Sequence, residues 1–441
     1  MRDIPLLLGF AAMVPMILMR PHLGVLAWCW TALLVPNSYV YGLATGVRFN
    51  FWIAIFTLFA WMMAKEAKRV PMNTTTILLG CFLVWGTLST LFTIAPDASV
   101  TWVEWENFIK TITLALVVVA LIRTETRIKA VLFAVALSMG FHGVIEALKF
   151  ILSGGGHKIW GPGTSIIADN NHFAVAIIMT IPIMIYLYMQ SRNFIVRSSA
   201  IVGILLLIVT VIGTGSRGGL IGVVALSAWI FITTKKKLRF LVVAAFIGVV
   251  ALSFAPERWY ARMSTIETAD QDASFMGRVI AWKINTLTAL HNPLTGAGFR
   301  STQELAIWLK YAQDFSRLSF IPTDAPDPLS AHSAHSIYFQ VLGDMGFVGL
   351  AIFLALLATA WRNASLALAR TRERPEMRWA NHLARTLQYC LIPYIVSGAA
   401  LNLAYFDLTY VIFALLAVLR QETEEHAMAK IKMPSAIPAL R

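Results

Sequence analysis

Residues 199–237 read SAIVGILLLIVTVIGTGSRGGLIGVVALSAWIFITTKKK, and this stretch decides the fold. Two uncharged apolar runs, 199–215 and 218–233, are joined by a glycine-rich turn carrying Arg217, and they lead into Lys235, Lys236 and Lys237. An apolar helix of roughly 20 residues matches the hydrocarbon thickness of a bilayer, and basic residues gather at the cytoplasmic ends of such spans. The stretch therefore reads as a pair of membrane helices whose turn, with Arg217, lies on the outer side.

The same pattern extends in both directions. Further apolar runs occupy 4–19, 22–41, 50–64, 75–95, 108–122, 127–152, 171–189, 238–255, 337–360, 387–404 and 407–420. The basic connectors Lys65/Lys68/Arg69, Arg123/Arg127/Lys129, Arg192/Arg197, Lys235–Lys237 and Arg362 to Arg385 share one side if each run crosses once. That side is the cytoplasm. Runs 4–19 and 22–41 are split by Arg20-Pro21 and form two spans or one broken element, giving 13 or 12 crossings. The expectation taken is 12, with both termini cytoplasmic. The chain then divides into membrane helices over 1–255, a long outer segment over 256–336, membrane helices over 337–420 and a cytoplasmic tail over 421–441.

Composition agrees. Of 441 residues, 58% are hydrophobic and 13% charged, and the mean hydropathy is +0.69. These values exclude a soluble globular domain, a disordered chain and a disulfide scaffold. The net charge of +13 sits mostly in the short connectors, so it sets topology and marks no nucleic-acid surface. Cys29, Cys81 and Cys390 all fall inside apolar runs and imply neither disulfide nor metal framework. Met1 to Met19 has little basic head and no small-residue cleavage site, and reads as a retained membrane segment.

The outer side carries 96–107, 153–170, the turn at Arg217 and the segment 256–336, whose charges nearly cancel. Helical periodicity appears twice in that segment. Phe275, Val279, Trp282 and Leu287 share one face, and Leu305, Trp308, Leu309 and Ala312 share another. Such helices suit a cap on the bundle or the membrane surface.

Four clusters on this side could carry chemistry. In Gly213-Thr214-Gly215-Ser216-Arg217-Gly218-Gly219 the glycines allow close backbone approach and suit an anion, although a tight turn with a snorkelling arginine is the plainer reading. Arg278 stands in the first turns of an expected helix capped by Ser274, with Trp282 one turn on; a guanidinium there is unfavourable unless an anion is near, while a solvated arginine is the common case. His335 and Tyr338, in Ala331-His332-Ser333-Ala334-His335-Ser336-Ile337-Tyr338, share a helical face, so His335 suits a general base, with His332 second and an interfacial histidine as the alternative. Asp169-Asn170-Asn171-His172 opens another span, where asparagine binds sugar hydroxyls or simply caps the helix. Ser216, Gly218 and Arg300 complete the residues expected around a substrate. Asp270-Gln271-Asp272 has carboxylate spacing used with divalent metal but equally fits a polar loop, and Glu146 and Lys149 are placed to pair. Two arginines, a histidine and asparagines on one face, under an amphipathic lid, describe a site for an anionic lipid-linked substrate.

The serine-arginine-glycine-glycine turn, the Gly277-Arg278 element followed by Trp282, and Ala334-His335-Ser336-x-Tyr338 followed by Gly343 to Gly349 resemble the O-antigen ligase family. That family shares a domain with O-antigen polymerases and protein O-oligosaccharyltransferases. Ser336 stands where the family usually has asparagine, and Asp169-Asn170-Asn171 resembles an asparagine-proline-asparagine pattern with two positions altered. The resemblance implies a bundle like the C-type membrane glycosyltransferases, in the bacterial inner membrane, with a periplasmic active site. It implies transfer of a glycan from undecaprenyl diphosphate to a sugar of lipid A–core oligosaccharide, metal-independent and inverting, without cofactor. On it, Arg217 and Arg278 match the arginines assigned to the diphosphate, and His335 the histidine that activates the acceptor. A polymerase or a protein ligase would share these residues. A lipid-linked glycan transporter would need no base and would bind near the midplane, often between inverted repeats, which this sequence does not display.

Overall fold

Inside a bilayer every backbone N–H and C=O must find its partner within the protein, which turns apolar runs into helices. The computed structural model describes residues 2–65, 70–253, 256–264 and 273–432. Asp270, Gln271 and Asp272, the connector residues Lys68 and Arg69, and residues 433–441 of the expected tail lie outside the described residues. Among those described there is no strand. The helices are α1 Asp3–Met19, α2 Pro21–Leu34, α3 Phe49–Met63, α4 Thr74–Leu91, α5 Ser99–Leu121, α6 Glu125–Leu152, α7 Asn170–Gln190 and α8 Phe194–Gly213. They continue as α9 Arg217–Thr233, α10 Lys237–Ser253, α11 Glu257–Ser264, α12 Ala273–His291, α13 Leu305–Ala312, α14 Ile337–Thr371, α15 Arg378–Gly398 and α16 Asp407–Lys432. Five of them, α4, α6, α7, α8 and α14, are long and apolar enough to cross a membrane. The architecture is that of an all-helical integral membrane protein.

Side-chain caps set several helix starts. Asn73, Thr124, Asp169, Asn193 and Ser216 each accept a backbone N–H from the first turn of the helix they precede. The most enclosed span, α7, packs against α6, α8, α9 and α15. Beside it, α14 packs against α4, α12, α15 and α16.

Three elements differ from the sequence reading. The run 22–41 stops as a helix at Leu34, because Pro36 disfavours helical backbone at Val35, which turns left-handed (φ 52°). The expected outer loop 96–107 is mostly helix, since α5 starts at Ser99. Its two glutamates meet cations, Glu104 pairing with Arg300 at 2.8 Å and Glu106 with Arg48 and, one turn on in α5, with Lys110 at 3.2 Å, while Asp97 accepts from Ser99 N at 2.9 Å.

The third difference is a break within α14 at Gly346, whose φ of 67° and ψ of −167° suit only glycine. The chain following α12 lies against this break and takes up its polar groups. Ala297 N–H donates to Gly343 O at 2.9 Å, Gly298 N–H to Asp344 O at 3.0 Å, and Phe347 N–H to Pro293 O at 2.9 Å. From α4, Trp85 Nε1 donates to Met345 O at 3.1 Å. A Cβ on Gly346 would stand 2.5 Å from Leu294 O. The break thus binds the chain after α12 into the bundle, and buries Phe299 between Phe108 and Tyr405.

Candidate active site

Three helix N-termini lie at one end of the bundle: α7 after Asp169, α9 after Ser216 and α14 after Ser336. Hydrogen bonds join α7 to α9 directly and α14 to α9 through α15. Ser216 Oγ accepts from Gly219 N at 2.9 Å and donates to Asn171 Oδ1 at 2.9 Å. Asn171 is held in turn by Asp169, whose Oδ1 accepts its backbone N–H at 2.8 Å and its side-chain Nδ2 at 3.0 Å. Ser397, near the end of α15, donates to Gly218 O at 2.8 Å. Tyr338 donates its hydroxyl to Ile395 O, also on α15, at 3.0 Å. The last turn of α15 is therefore the common support of α9 and α14. Unpaired N–H groups and aligned peptide dipoles make such a junction attractive to an anion.

His335 sits in the link that leads into α14, half-buried, with a left-handed backbone (φ 42°). That conformation costs a non-glycine residue roughly 1–2 kcal/mol and persists where surrounding bonds impose it. One bond that imposes it is visible: Trp282 Nε1 donates to Ala334 O at 2.8 Å, while its indole stacks on Phe339 at 5.2 Å. The next residue, Ser336, is buried, and its Oγ has no hydrogen-bond partner among the described residues.

Around the imidazole stand Arg278, His172, Asp169 and His332. Burial, then the Arg278 guanidinium, pushes the His335 pKa down to about 4. The free site therefore holds a neutral imidazole beside a cation. Arg278 lies in α12, half-buried, and acts on His172 as well as His335. The helix starts at Ala273, so Ser274 belongs to its first turn instead of capping it. Arg217 is the first residue of α9, half-buried at the three-helix junction.

Next to this junction lies a polar chamber of about 530 Å³, bounded by α2, α5, α14, the 164–167 link, Asn402 and the start of α16. His172 and Ser333 line its end nearest His335, and Arg300 lines it farther along. Asn50, Asn107, Lys110, Gln340, Asn402 and Asp407 supply polar groups, with Trp28, Phe108 and Tyr405 as aromatic walls. Asn50 Oδ1 and Asn402 Oδ1 are buried acceptors without a partner among the described residues. Asp407 accepts from Thr111 Oγ1 at 2.7 Å.

The structure thus brings His335, Arg278, His332, Trp282 and the 169–172 turn together, with Ser216, Arg217 and Gly218 joined to that turn through Asn171. It gives several of the expected substrate contacts an internal partner. The Trp282 N–H goes to Ala334, the Tyr338 hydroxyl to Ile395, and the Asn171 amide to Asp169 and Ser216. Arg300 pairs with Glu104, and Asp344 Oδ1 accepts its backbone N–H at 2.9 Å. His332 is exposed and stands edge-on to Trp308 at 5.7 Å. Glu146 pairs with Lys149 at 2.7 Å as expected, and also with His157 at 2.7 Å, away from His335. Sequence reasoning quoted His172 only as the end of the 169–172 motif, with no role of its own, and passed over the chamber residues Lys110 and Asp407. A charged residue inside or at the edge of an apolar run was the available signal.

Comparison with known families gives two matches. Residues 202–354 match the model of a family described as O-antigen ligase, and residues 1–192 match a family of unknown function (DUF5935). No curated protein matches the chain. Arg217, Arg278, His335 and Tyr338 all fall in the first match, while Asn171, His172 and Lys110 fall in the second.

Proposed function

From the premise that residues 202–354 are an O-antigen ligase family domain, we propose that this protein is an O-antigen ligase acting at the outer face of the bacterial inner membrane. The domain belongs to the superfamily of ligases, polymerases and oligosaccharyltransferases, membrane enzymes of glycosyl transfer. The donor in this reading is a glycan on undecaprenyl diphosphate and the acceptor a sugar hydroxyl of lipid A–core. The observation that carries the reading is His335, held left-handed beside Arg278 at the junction of three helix N-termini.

The acceptor oxygen attacks the anomeric carbon from the face opposite the diphosphate, so the configuration inverts. Its proton passes to His335, and the glycosidic C–O bond breaks toward the diphosphate. Charge grows on the leaving group, where Arg217 and Arg278 stabilise it with fixed guanidiniums and no metal. Each such donor is worth about 3–4 kcal/mol in the transition state. The low pKa of His335 fits this order of events. A bound diphosphate offsets the Arg278 charge, and the imidazole becomes basic only once donor is present.

The chamber supports a sugar as acceptor. Its amides and carboxylate offer partners to hydroxyls, its orphan acceptors await donors, and its aromatic walls suit sugar faces.

The test is transfer by purified protein in nanodiscs from undecaprenyl-diphosphate glycan to lipid A–core, followed by gel shift, with His335→Ala alongside. Transfer by wild type alone supports the ligase and the base. Transfer only to protein serine or to a second glycan unit replaces the acceptor assignment. Transport of intact donor without transfer to any acceptor removes the enzyme reading.

A further inference from the structure

At the end of the bundle opposite His335, a cavity of about 470 Å³ is lined by Lys235, Leu368, Ala369, Arg372, Asn381 and Arg385. Its cations come from three places: the link after α9, the end of α14 and the second turn of α15. Asn381 fixes the junction, donating from Nδ2 to Leu368 O at 3.2 Å and to Thr371 Oγ1 at 2.8 Å. Arg385, four residues after Asn381, lies on the same face of α15.

Neighbouring basic residues are neutralised within the protein. Arg370 and Arg420 both reach Glu424, at 2.6 and 3.8 Å. Among the described residues, Lys235, Arg372 and Arg385 make no ion pair. Three like charges around one concavity repel one another unless an anion sits between them, and two guanidiniums with an ammonium match a phosphate.

We propose that this cavity binds the phosphate of an anionic membrane phospholipid, with acyl chains lying along the adjoining α9, α14 and α15 faces. The surroundings favour a lipid over a free anion. Ile232 and Leu238, flanking Lys235, are 65% and 76% exposed. Trp229 of α9 meets Trp361 of α14 edge-on at 5.2 Å, and Thr233 Oγ1 lies 3.2 Å from the Tyr389 hydroxyl on α15. Tryptophan and tyrosine, here Trp229, Trp361 and Tyr389, are enriched at the interfacial level of a membrane, and basic pockets between helix ends at that level hold lipid headgroups.

The experiment uses the full chain in detergent after delipidation. Its melting temperature and retained lipid, the latter by native mass spectrometry, are measured with short-chain phosphatidylglycerol, phosphatidylcholine or inorganic phosphate. Phosphatidylglycerol is expected to be retained and to raise the melting temperature, with phosphatidylcholine and phosphate without effect. Arg372→Gln and Arg385→Gln should each weaken phosphatidylglycerol binding about fivefold, and Arg385→Lys should recover part of it. Equal stabilisation by inorganic phosphate would overturn the lipid assignment. Undiminished phosphatidylglycerol binding in both glutamine variants would overturn the site. Because these residues lie away from His335, glycosyl transfer by Arg385→Gln in detergent reports whether that variant is folded.

Discussion

The indole N–H of Trp282 donates to the carbonyl oxygen of Ala334 at 2.8 Å, and so fixes the peptide immediately before His335. The bond links α12, which carries Arg278, to the segment that carries the proposed base. The proposed anion-binding and proton-accepting groups are thereby held by one short bridge.

On the proposed mechanism, Trp282 is a positioning residue. Trp282→Phe keeps an aromatic ring against Phe339 but removes the donor, a loss of about 1 kcal/mol. Transfer should fall roughly fivefold in kcat with donor KM nearly unchanged. A rise in KM at constant kcat would mean that the indole binds substrate instead.

The left-handed backbone of His335 separates two substitutions that both delete the imidazole. Transfer should drop by about 10²–10⁴ in each. Glycine relieves the φ of 42° and alanine does not, so His335→Gly should melt above His335→Ala. Full activity in either variant would remove the base role.

The pH profile follows from the His335 pKa of about 4, set by burial and then by Arg278. The unfolded value is about 6.5, so the folded protein holds fewer protons between the two. The contribution to stability is complete above about pH 6.5 and is lost as pH falls toward 4. The acid limb of kcat/KM should sit well below pH 6.5, and Arg278→Gln should move it upward. NMR titration of the imidazole checks the same shift without turnover, and an unmoved pKa in that variant would show that Arg278 does not act on His335.

Arg217→Lys and Arg278→Lys keep the charge and lose the planar fork. Each should reduce transfer by about 10²–10³. Activity should persist in EDTA. Complete loss on chelation would redirect attention to Asp270 and Asp272, and normal rates in both lysine variants would argue against bidentate recognition of the diphosphate.

Gly346→Ala tests the break in α14. With φ 67°, ψ −167° and a new Cβ 2.5 Å from Leu294 O, the variant should lose about 1–3 kcal/mol of stability. Its melting temperature should fall, and transfer should fall with it. Wild-type stability would mean that the break can straighten without cost.

The sequence by itself determined that the chain is a set of membrane helices, and it singled out the residues to which the proposed chemistry is assigned. Hydropathy is summed over neighbours in the chain, and a lipid solvent leaves apolar segments few alternatives to a helix. The runs 127–152, 171–189 and 218–233 accordingly lie within α6, α7 and α9, and the periodic stretch 275–290 lies on α12, whereas of 303–318 only Leu305–Ala312 is α-helix and Phe315–Leu318 is a short 3-10 turn. Arg217 stood out as a charge in a glycine-rich turn, Arg278 as a guanidinium near a helix start, and His335 as an imidazole where the chain re-enters the membrane. Only the tertiary structure decided what each group faces. It turned Trp282, Tyr338 and Asn171 toward partners inside the protein, set His172 and Arg278 beside His335, and opened the chamber between α5 and α16. Those relationships join residues tens to hundreds of positions apart, and depend on which helix faces meet. Gly346 illustrates the divide: its presence was legible, but the break it permits exists because the chain from Pro293 to Gly298 lies against it and bonds to the backbone there.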